Sequence, residues 1–213
     1  MINYEILVFV FFAYLTGALP SAIWIGRIFY NVDVREFGSG NAGATNTFRV
    51  LGYKAGVPVL LIDILKGWVS VKYTLLVNYI FLIEFSSPDV FFETQLVFGI
   101  AAVLGHLFPI YVGFRGGKGI ATMFGVLIAI HPLATLLSFF VFLLVLFLFR
   151  YVSLSSIAAS FSFAIIIILF YGDSVSSLKI FAIFVPVLSL ITHQKNIERI
   201  MKGQETKLTF GKK

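Results

Sequence analysis

Residues 1–26 read MINYEILVFVFFAYLTGALPSAIWIG. No Lys or Arg precedes the apolar run, and Glu5 stands where a secretory signal would carry its basic region. The run is therefore expected to remain in the protein as a first membrane span. A transmembrane helix takes about 20 mostly apolar residues. By that rule the chain holds spans at roughly 5–29, 54–82, 94–112, 119–132, 133–149, 153–171 and 178–192. The fourth and fifth are short and share His131-Pro132, where a tight hairpin is expected. The expected fold is all-α and polytopic, with seven transmembrane helices in one domain over residues 1–213. No internal repeat, low-complexity stretch or soluble domain interrupts it.

Composition points the same way. The 213 residues are 59% hydrophobic and 12% charged, about half the 25% charged share of a soluble domain. That excludes a soluble globule, a disordered chain and a disulfide scaffold. With no cysteine, disulfides, Cys-ligated metals and Cys nucleophiles are excluded too. The formal net charge is +6, and its placement sets the orientation. Thirteen Lys and Arg, counting Lys54 at its edge, fall on the side that holds 27–53, 113–118, Arg150 and the tail from 193. Only Lys179 lies near the other side, which carries Glu5, Glu84, Asp89, Glu93 and Asp173. The N-terminus is expected outside and the C-terminus in the cytoplasm.

Three polar stretches on the basic side are richer than connectors need. Residues 38–43 spell G-x-G-x-x-G, but a dinucleotide site needs a preceding strand and a βαβ unit, and here a membrane span precedes. Residues 113–119, GFRGGKG, resemble a P-loop and fail its spacing, with Val112 and Gly119 at the wrong ends. The physics beneath both motifs survives: clustered glycines let backbone N–H groups converge on an anion, and a nearby cation completes the site. Arg49 follows the first loop and Lys118 sits inside the second. A plain turn carrying positive-inside charge explains Gly and Arg, but not the density of Ser39, Asn41, Thr45 and Asn46.

In the third stretch, His193 could simply end a span at the interface. Asn196 at i+3 shares its face if the tail starts helical. Charges inside a membrane are functional candidates by default. Asp63 and Lys66, at i and i+3 in the second span, are either a neutralising pair that packs the bundle or a support for a site. Lys72 is expected to snorkel outward. His106 and Pro109 sit at the cytoplasmic end of the third span. The three His are scattered with no carboxylate cluster, so no metal site is expected.

These segments resemble the three signature motifs of the membrane-integral, acyl-phosphate-dependent glycerol-3-phosphate acyltransferases of bacteria, the PlsY type. They read GSGNAGATNTFRVLG (38–52), GHLFPIYVGFRGGKGIAT (105–122) and HQKNIERIMKGQETKL (193–208), and LLIDILKG (60–67) fits as well. Thr192 departs from the family, many members of which carry Arg there. The loop around 83–93 is somewhat long.

The resemblance implies a multi-pass protein of the bacterial inner membrane with its active site facing the cytoplasm. Its reaction would be acyl transfer from acyl phosphate to the 1-hydroxyl of glycerol 3-phosphate, the first acylation of phospholipid synthesis. The products would be lysophosphatidate and inorganic phosphate. Acyl-CoA and acyl-carrier protein would not be direct donors. The partners are the two substrates and the bilayer, with no nucleic acid and no cofactor. The His-x-x-x-x-Asp motif of the soluble-domain acyltransferases is absent.

On that basis the expected catalytic residues are Ser39, Lys118, His193 and Asn196. Asn41, Thr45, Asn46, Arg49, Gly116, Gly117 and Gly119 are expected to bind substrate. Asp63, Lys66, His106 and Glu205 are expected to support the site, with Glu205 and Lys207 holding the tail through a salt bridge. His193 or a substrate phosphate would take the hydroxyl proton. The competing class is a transporter or channel for an anionic metabolite, which calls for repeats and polar lining through the membrane. A membrane scaffold would leave the glycine and asparagine density unexplained.

Overall fold

The computed structural model describes residues 4–81, 85–171 and 175–208. Glu84, Asp173, Lys212 and Lys213, which entered the charge count, lie outside the described residues. Among those described, every regular element is helical. The chain divides into two compact units, Met1–Ile130 and His131–Lys213.

The first unit holds α1 (Tyr4–Gly17), α2 (Ser21–Tyr30), α3 (Ala44–Leu51), α4 (Tyr53–Phe81), α5 (Pro88–Leu107) and α6 (Ile120–Ile130). The second holds α7 (Pro132–Phe149), α8 (Val152–Phe170), α9 (Ser176–Thr192) and α10 (Gln194–Met201). All seven apolar stretches are helical. By length and composition, three segments among the described residues can cross a membrane: Pro88–Val112, α7 and α8. The bent pairs α1–α2 and α9–α10 raise the number to five. The expected first span is broken by 41° at Ala18–Pro20. Pro20 has no N–H to continue the ladder. The expected third span starts earlier than residue 94. Ser87 accepts from the Val90 N–H at 3.2 Å, and Pro88 takes the first helical position, which tolerates it. α6 has only 11 residues.

Burial is inverted relative to a soluble protein. On α4 the buried positions include Asp63, Lys66, Gly67, Ser70 and Thr74. Leu61, Leu65, Trp68, Leu75 and Tyr79 are exposed. Where lipid surrounds a bundle, helices associate through close packing of small residues rather than by expelling water. Two glycine pairs do this here. A Cβ on Gly17 would overlap the Ala102 backbone of α5, and one on Gly105 would overlap the Tyr14 carbonyl of α1. Gly67 of α4 and Gly125 of α6 lie equally tight on Thr122 and Ile64.

In the second unit, small hydroxyl residues fill the buried faces: Thr135 and Ser138 on α7, and Ser153, Ser155, Ser156 and Ser160 on α8. Several satisfy themselves on their own helix, as Ser138 Oγ does on the Ala134 carbonyl at 2.8 Å.

The first unit gathers Arg27, Arg35, Arg49, Lys54, Arg115 and Lys118 at the end where α2, α5, α3 and the start of α4 meet. The second gathers Arg150, Lys195, Arg199, Lys202 and Lys207 at the α7–α8 turn and α10. Lys72 lies over the Trp68 ring, 5.5 Å from its centroid.

Candidate active site

The first glycine loop is built, not slack. Gly38 and Gly40 take left-handed φ of 62° and 72°, a conformation that suits glycine. Asn46 organises the turn. Its Oδ1 accepts from the Ser39 N–H at 2.8 Å, and its Nδ2 donates to the carbonyls of Val34 (2.7 Å) and Phe37 (3.1 Å). Asn46 is 1% exposed, so the structure uses its amide to shape the loop. Ser39, Thr45 and Arg49 are exposed and Asn41 half-buried. The stretch from Ala44, expected as loop, is the helix α3, begun by extended Gly43. In its first turn the Asn46 N–H donates to the Gly43 carbonyl at 3.1 Å, whereas those of Ala44 and Thr45 have no intrahelical acceptor by construction. Upstream, Asp33 takes hydrogen bonds first from Arg35 and then from Arg27, which together hold its carboxyl below the usual carboxylate range despite partial burial.

The second loop folds back onto the end of α5. Gly116 N–H donates to the Leu107 carbonyl and Gly117 N–H to the His106 carbonyl, both at 3.2 Å. The anion-facing amides expected of these two glycines are therefore spent on backbone. Their small size serves instead: a Cβ on Gly116 would overlap the His106 carbonyl, and one on Gly117 the His106 ring and Ala42 carbonyl. Gly119, at φ 74°, turns the chain into α6. The first turn of α6, next to Lys118, has amides without an intrahelical acceptor by construction.

Beneath the loops lies a buried charged cluster. Asp63 Oδ1 pairs with Lys66 Nζ at 2.9 Å and accepts from Ser21 Oγ at 2.7 Å. Lys66 Nζ also donates to the Leu19 carbonyl at 2.9 Å, a group released by the break between α1 and α2. His106 Nδ1 lies 3.0 Å from Thr122 Oγ1 and 3.7 Å from Asp63 Oδ1. Asp63, Lys66 and His106 are all 6% exposed or less. A cavity of about 10 Å³, lined by Ser21, Lys66, His106, Ala42, Gly116 and Gly117 among others, has room for about one water molecule. Both glycine loops and the cluster thus share one wall. Ser21 and the Leu19 carbonyl were missed from sequence. The signal was Thr16–Pro20, where Gly17 and Pro20 mark a break inside an apolar run.

The third segment is assembled in the second unit. α9 turns by 62° into α10, and His193 stands at the joint. Its Nδ1 lies 2.9 Å from the Ser189 carbonyl. A carbonyl only accepts, so Nδ1 carries the proton in that bond. Asn196 follows one turn on, its N–H bonded to the His193 carbonyl at 2.8 Å. Its Nδ2 donates to Glu205 Oε1.

Glu205 also accepts from Ser153 Oγ (2.8 Å) and Arg199 Nε (2.8 Å). Burial pushes the Glu205 carboxyl up, but the bonds from Arg199, Asn196 and Ser153 outweigh it and leave it below the usual glutamate range. The salt bridge that holds the tail is thus with Arg199. Lys207 instead lies over the Tyr151 ring at 5.5 Å. Thr192 Oγ1 donates to the Leu188 carbonyl at 3.0 Å, so it is bound to its own helix. Sequence reading missed Ser153 and Arg199 as partners.

Apolar helices with buried polar faces, and glycine-rich loops over a charged cluster, define a helical integral membrane protein with a chemical site at one end of its first unit. A model of the glycerol-3-phosphate acyltransferases matches residues 7–203. The glycerol-3-phosphate acyltransferase of Staphylococcus aureus strain Newman is 40% identical over 206 residues, 96% of this chain and 98% of that protein. That of Staphylococcus saprophyticus is 43% identical over the same share of each. The crystal structure of PlsY, an integral membrane glycerol 3-phosphate acyltransferase, in its glycerol 3-phosphate form matches with a TM-score of 0.82 at 37% identity and 96% of both chains. Its lysophosphatidic acid form matches with a TM-score of 0.79 over 96% of this chain and 95% of that one. The chain belongs to the glycerol-3-phosphate acyltransferase family.

Proposed function

We propose that this protein transfers a fatty acyl group from acyl phosphate to the 1-hydroxyl of glycerol 3-phosphate. The reaction gives lysophosphatidate and inorganic phosphate, the first acylation of phospholipid synthesis. It uses no cofactor, and acyl-CoA and acyl-carrier protein are not its direct donors. The protein works as a single domain over both units in the bacterial inner membrane. It has seven spans, the N-terminus outside, and the C-terminus and site in the cytoplasm. The one-ended placement of Lys and Arg in each unit supports that orientation.

The observation that carries the reading is the meeting of two glycine-rich loops, each with its own cation, over one buried Asp63–Lys66–His106 cluster. That is a built site for phosphorylated ligands, in a chain whose family is named for glycerol-3-phosphate acylation. An acyl phosphate is already activated, so positioning and charge stabilisation suffice. The hydroxyl oxygen attacks the acyl carbon, the acyl carbon–oxygen bond to phosphate breaks, and phosphate leaves with the electron pair. Lys118 and the start of α6 stabilise the developing charge. Ser39, Asn41, Thr45, Arg49 and Gly119 line the pocket, with Asn46, Gly116 and Gly117 shaping it. His193 Nε2, or a phosphate oxygen of the substrate, takes the hydroxyl proton, and Asn196 orients the hydroxyl. Asp63, Lys66, His106 and Glu205 hold these groups in place.

The test is phosphate release from palmitoyl phosphate by purified protein, with and without glycerol 3-phosphate. Release that depends on glycerol 3-phosphate and yields lysophosphatidate is expected. Release without that dependence, or uptake of glycerol 3-phosphate into proteoliposomes without acylation, overturns the reading in favour of a hydrolase or transporter.

A further inference from the structure

Between Pro109 and Gly116 the backbone enters the left-handed region twice in succession, at Gly113 (φ 71°) and Phe114 (φ 60°). Glycine adopts that conformation freely, whereas a bulky residue does not. The Phe114 side chain is 56% exposed, so its own burial does not hold the backbone there. Such strain persists only where the surroundings over-determine the chain.

Three bonds do so here. The N–H groups of Val112 and Phe114 both donate to the Pro109 carbonyl, at 3.3 and 2.9 Å. The third bond comes from 77 residues away: Arg35 Nη1 donates to the Val112 carbonyl at 3.2 Å. Arg35 stands at the head of the first glycine loop, and its guanidinium is aimed by Asp33. That carboxylate accepts from Arg35 Nη2 at 2.8 Å, from Nε at 3.1 Å and from the Arg35 N–H at 3.0 Å. A planar fork clamped on one side is pre-organised to grip on the other. Arg27 Nη2 binds Asp33 from a further direction at 2.8 Å.

We propose that Arg35 is a positioning residue for the acyl transfer: by holding the Val112 carbonyl it bridges the two glycine-rich loops, keeps the left-handed Gly113–Phe114 turn, and so fixes the aim of Arg115–Gly119. Its kinetic consequence rests on the acyl-transfer reading above. Its structural consequence does not.

The experiment compares wild type, Arg35→Ala, Arg35→Lys, Phe114→Gly and the Arg35→Ala/Phe114→Gly double variant as full-length protein in detergent. Arg35→Ala is expected to lower kcat/KM by about 10- to 100-fold, the range seen when a positioning element slips by an ångström. Its fold is expected to persist, because Arg27 still neutralises Asp33. Arg35→Lys keeps the charge, loses the fork and shows a smaller loss of the same kind. It carries the comparison should Arg35→Ala not fold.

Glycine at 114 removes the penalty that Arg35 opposes, so the double variant regains about fivefold or more over Arg35→Ala. A residue that served stability alone would gain nothing from glycine at 114. The second readout needs no activity: tryptic cleavage after Arg115, followed by mass spectrometry, quickens in Arg35→Ala relative to cleavage after Lys202. Wild-type kinetics and cleavage in Arg35→Ala overturn the proposal, and so does a kinetic loss that Phe114→Gly leaves unchanged. If wild type shows no glycerol 3-phosphate-dependent release, the acyl-transfer reading falls and the cleavage ratio alone decides the bridge.

Discussion

Glu205→Ala removes one carboxylate on which three side chains depend: Asn196, Arg199 and Ser153. Asn196 and Ser153 are 6% and 4% exposed, and each buried donor left unpaired costs about 1–3 kcal/mol. Arg199 is 35% exposed in its side chain, so its share is screened to about 0–1 kcal/mol. The total is about 2–7 kcal/mol, which for a chain of this size lowers the unfolding midpoint by at least about 4 °C. Thermal unfolding in detergent measures it. Glu205→Gln keeps an acceptor and loses less.

The pH dependence has a definite sign. The folded carboxyl titrates below its unfolded value, so in the acid range the unfolded chain binds more protons. The Glu205 contribution is complete above about pH 4.3, the ordinary glutamate value. It fades as pH falls through the folded value, and Glu205→Ala should lack that part of the acid profile. A midpoint within about 2 °C of wild type, with an unchanged acid profile, refutes the account of the tail.

Lys118→Ala should cost about 2.7–4 kcal/mol of transition-state stabilisation, as loss of an oxyanion donor does, and wild-type kcat/KM would remove Lys118 from the site. His193→Ala should abolish turnover while glycerol 3-phosphate binding, followed by calorimetry, persists. A mild fall in kcat would assign the proton to the substrate phosphate. Lys66→Met leaves Asp63 and the Leu19 carbonyl without their cation, and should cost about 3–5 kcal/mol, read as loss of monodisperse protein or a fall in midpoint. Gly125→Val should prevent close packing of α4 and α6, since the added carbon meets the Ile64 carbonyl. Its yield of folded protein should fall sharply.

Apolar runs were legible because a helix in lipid must be apolar over its length: α7 and α8 lie within a residue of 133–149 and 153–171. The start of α5 was not, because Asp89 and Glu93 looked like loop, although Ser87-Pro88 is a helix-start signal. α3 hid inside a stretch read for its chemistry, where Asn46 and Thr45 looked alike. Only the fold shows that Asn46 faces its own loop and Thr45 faces out. Spacing did place Asp63 and Lys66 together, since i and i+3 meet on any helix. It could not show the partner of Glu205, because contacts between α8, α10 and the tail depend on how the helices pack. Charge type alone suggested Lys207, and geometry chose Arg199.

The carbonyl of Leu19 takes two donors, the Ser21 N–H at 3.0 Å and Lys66 Nζ at 2.9 Å, the latter 47 positions further along the chain. During synthesis the first bent helix therefore leaves the ribosome with only its local donor in place, and the cation that completes the bend comes with α4. A truncated chain ending before α4 should then hold its first segment in a looser bend than the finished protein.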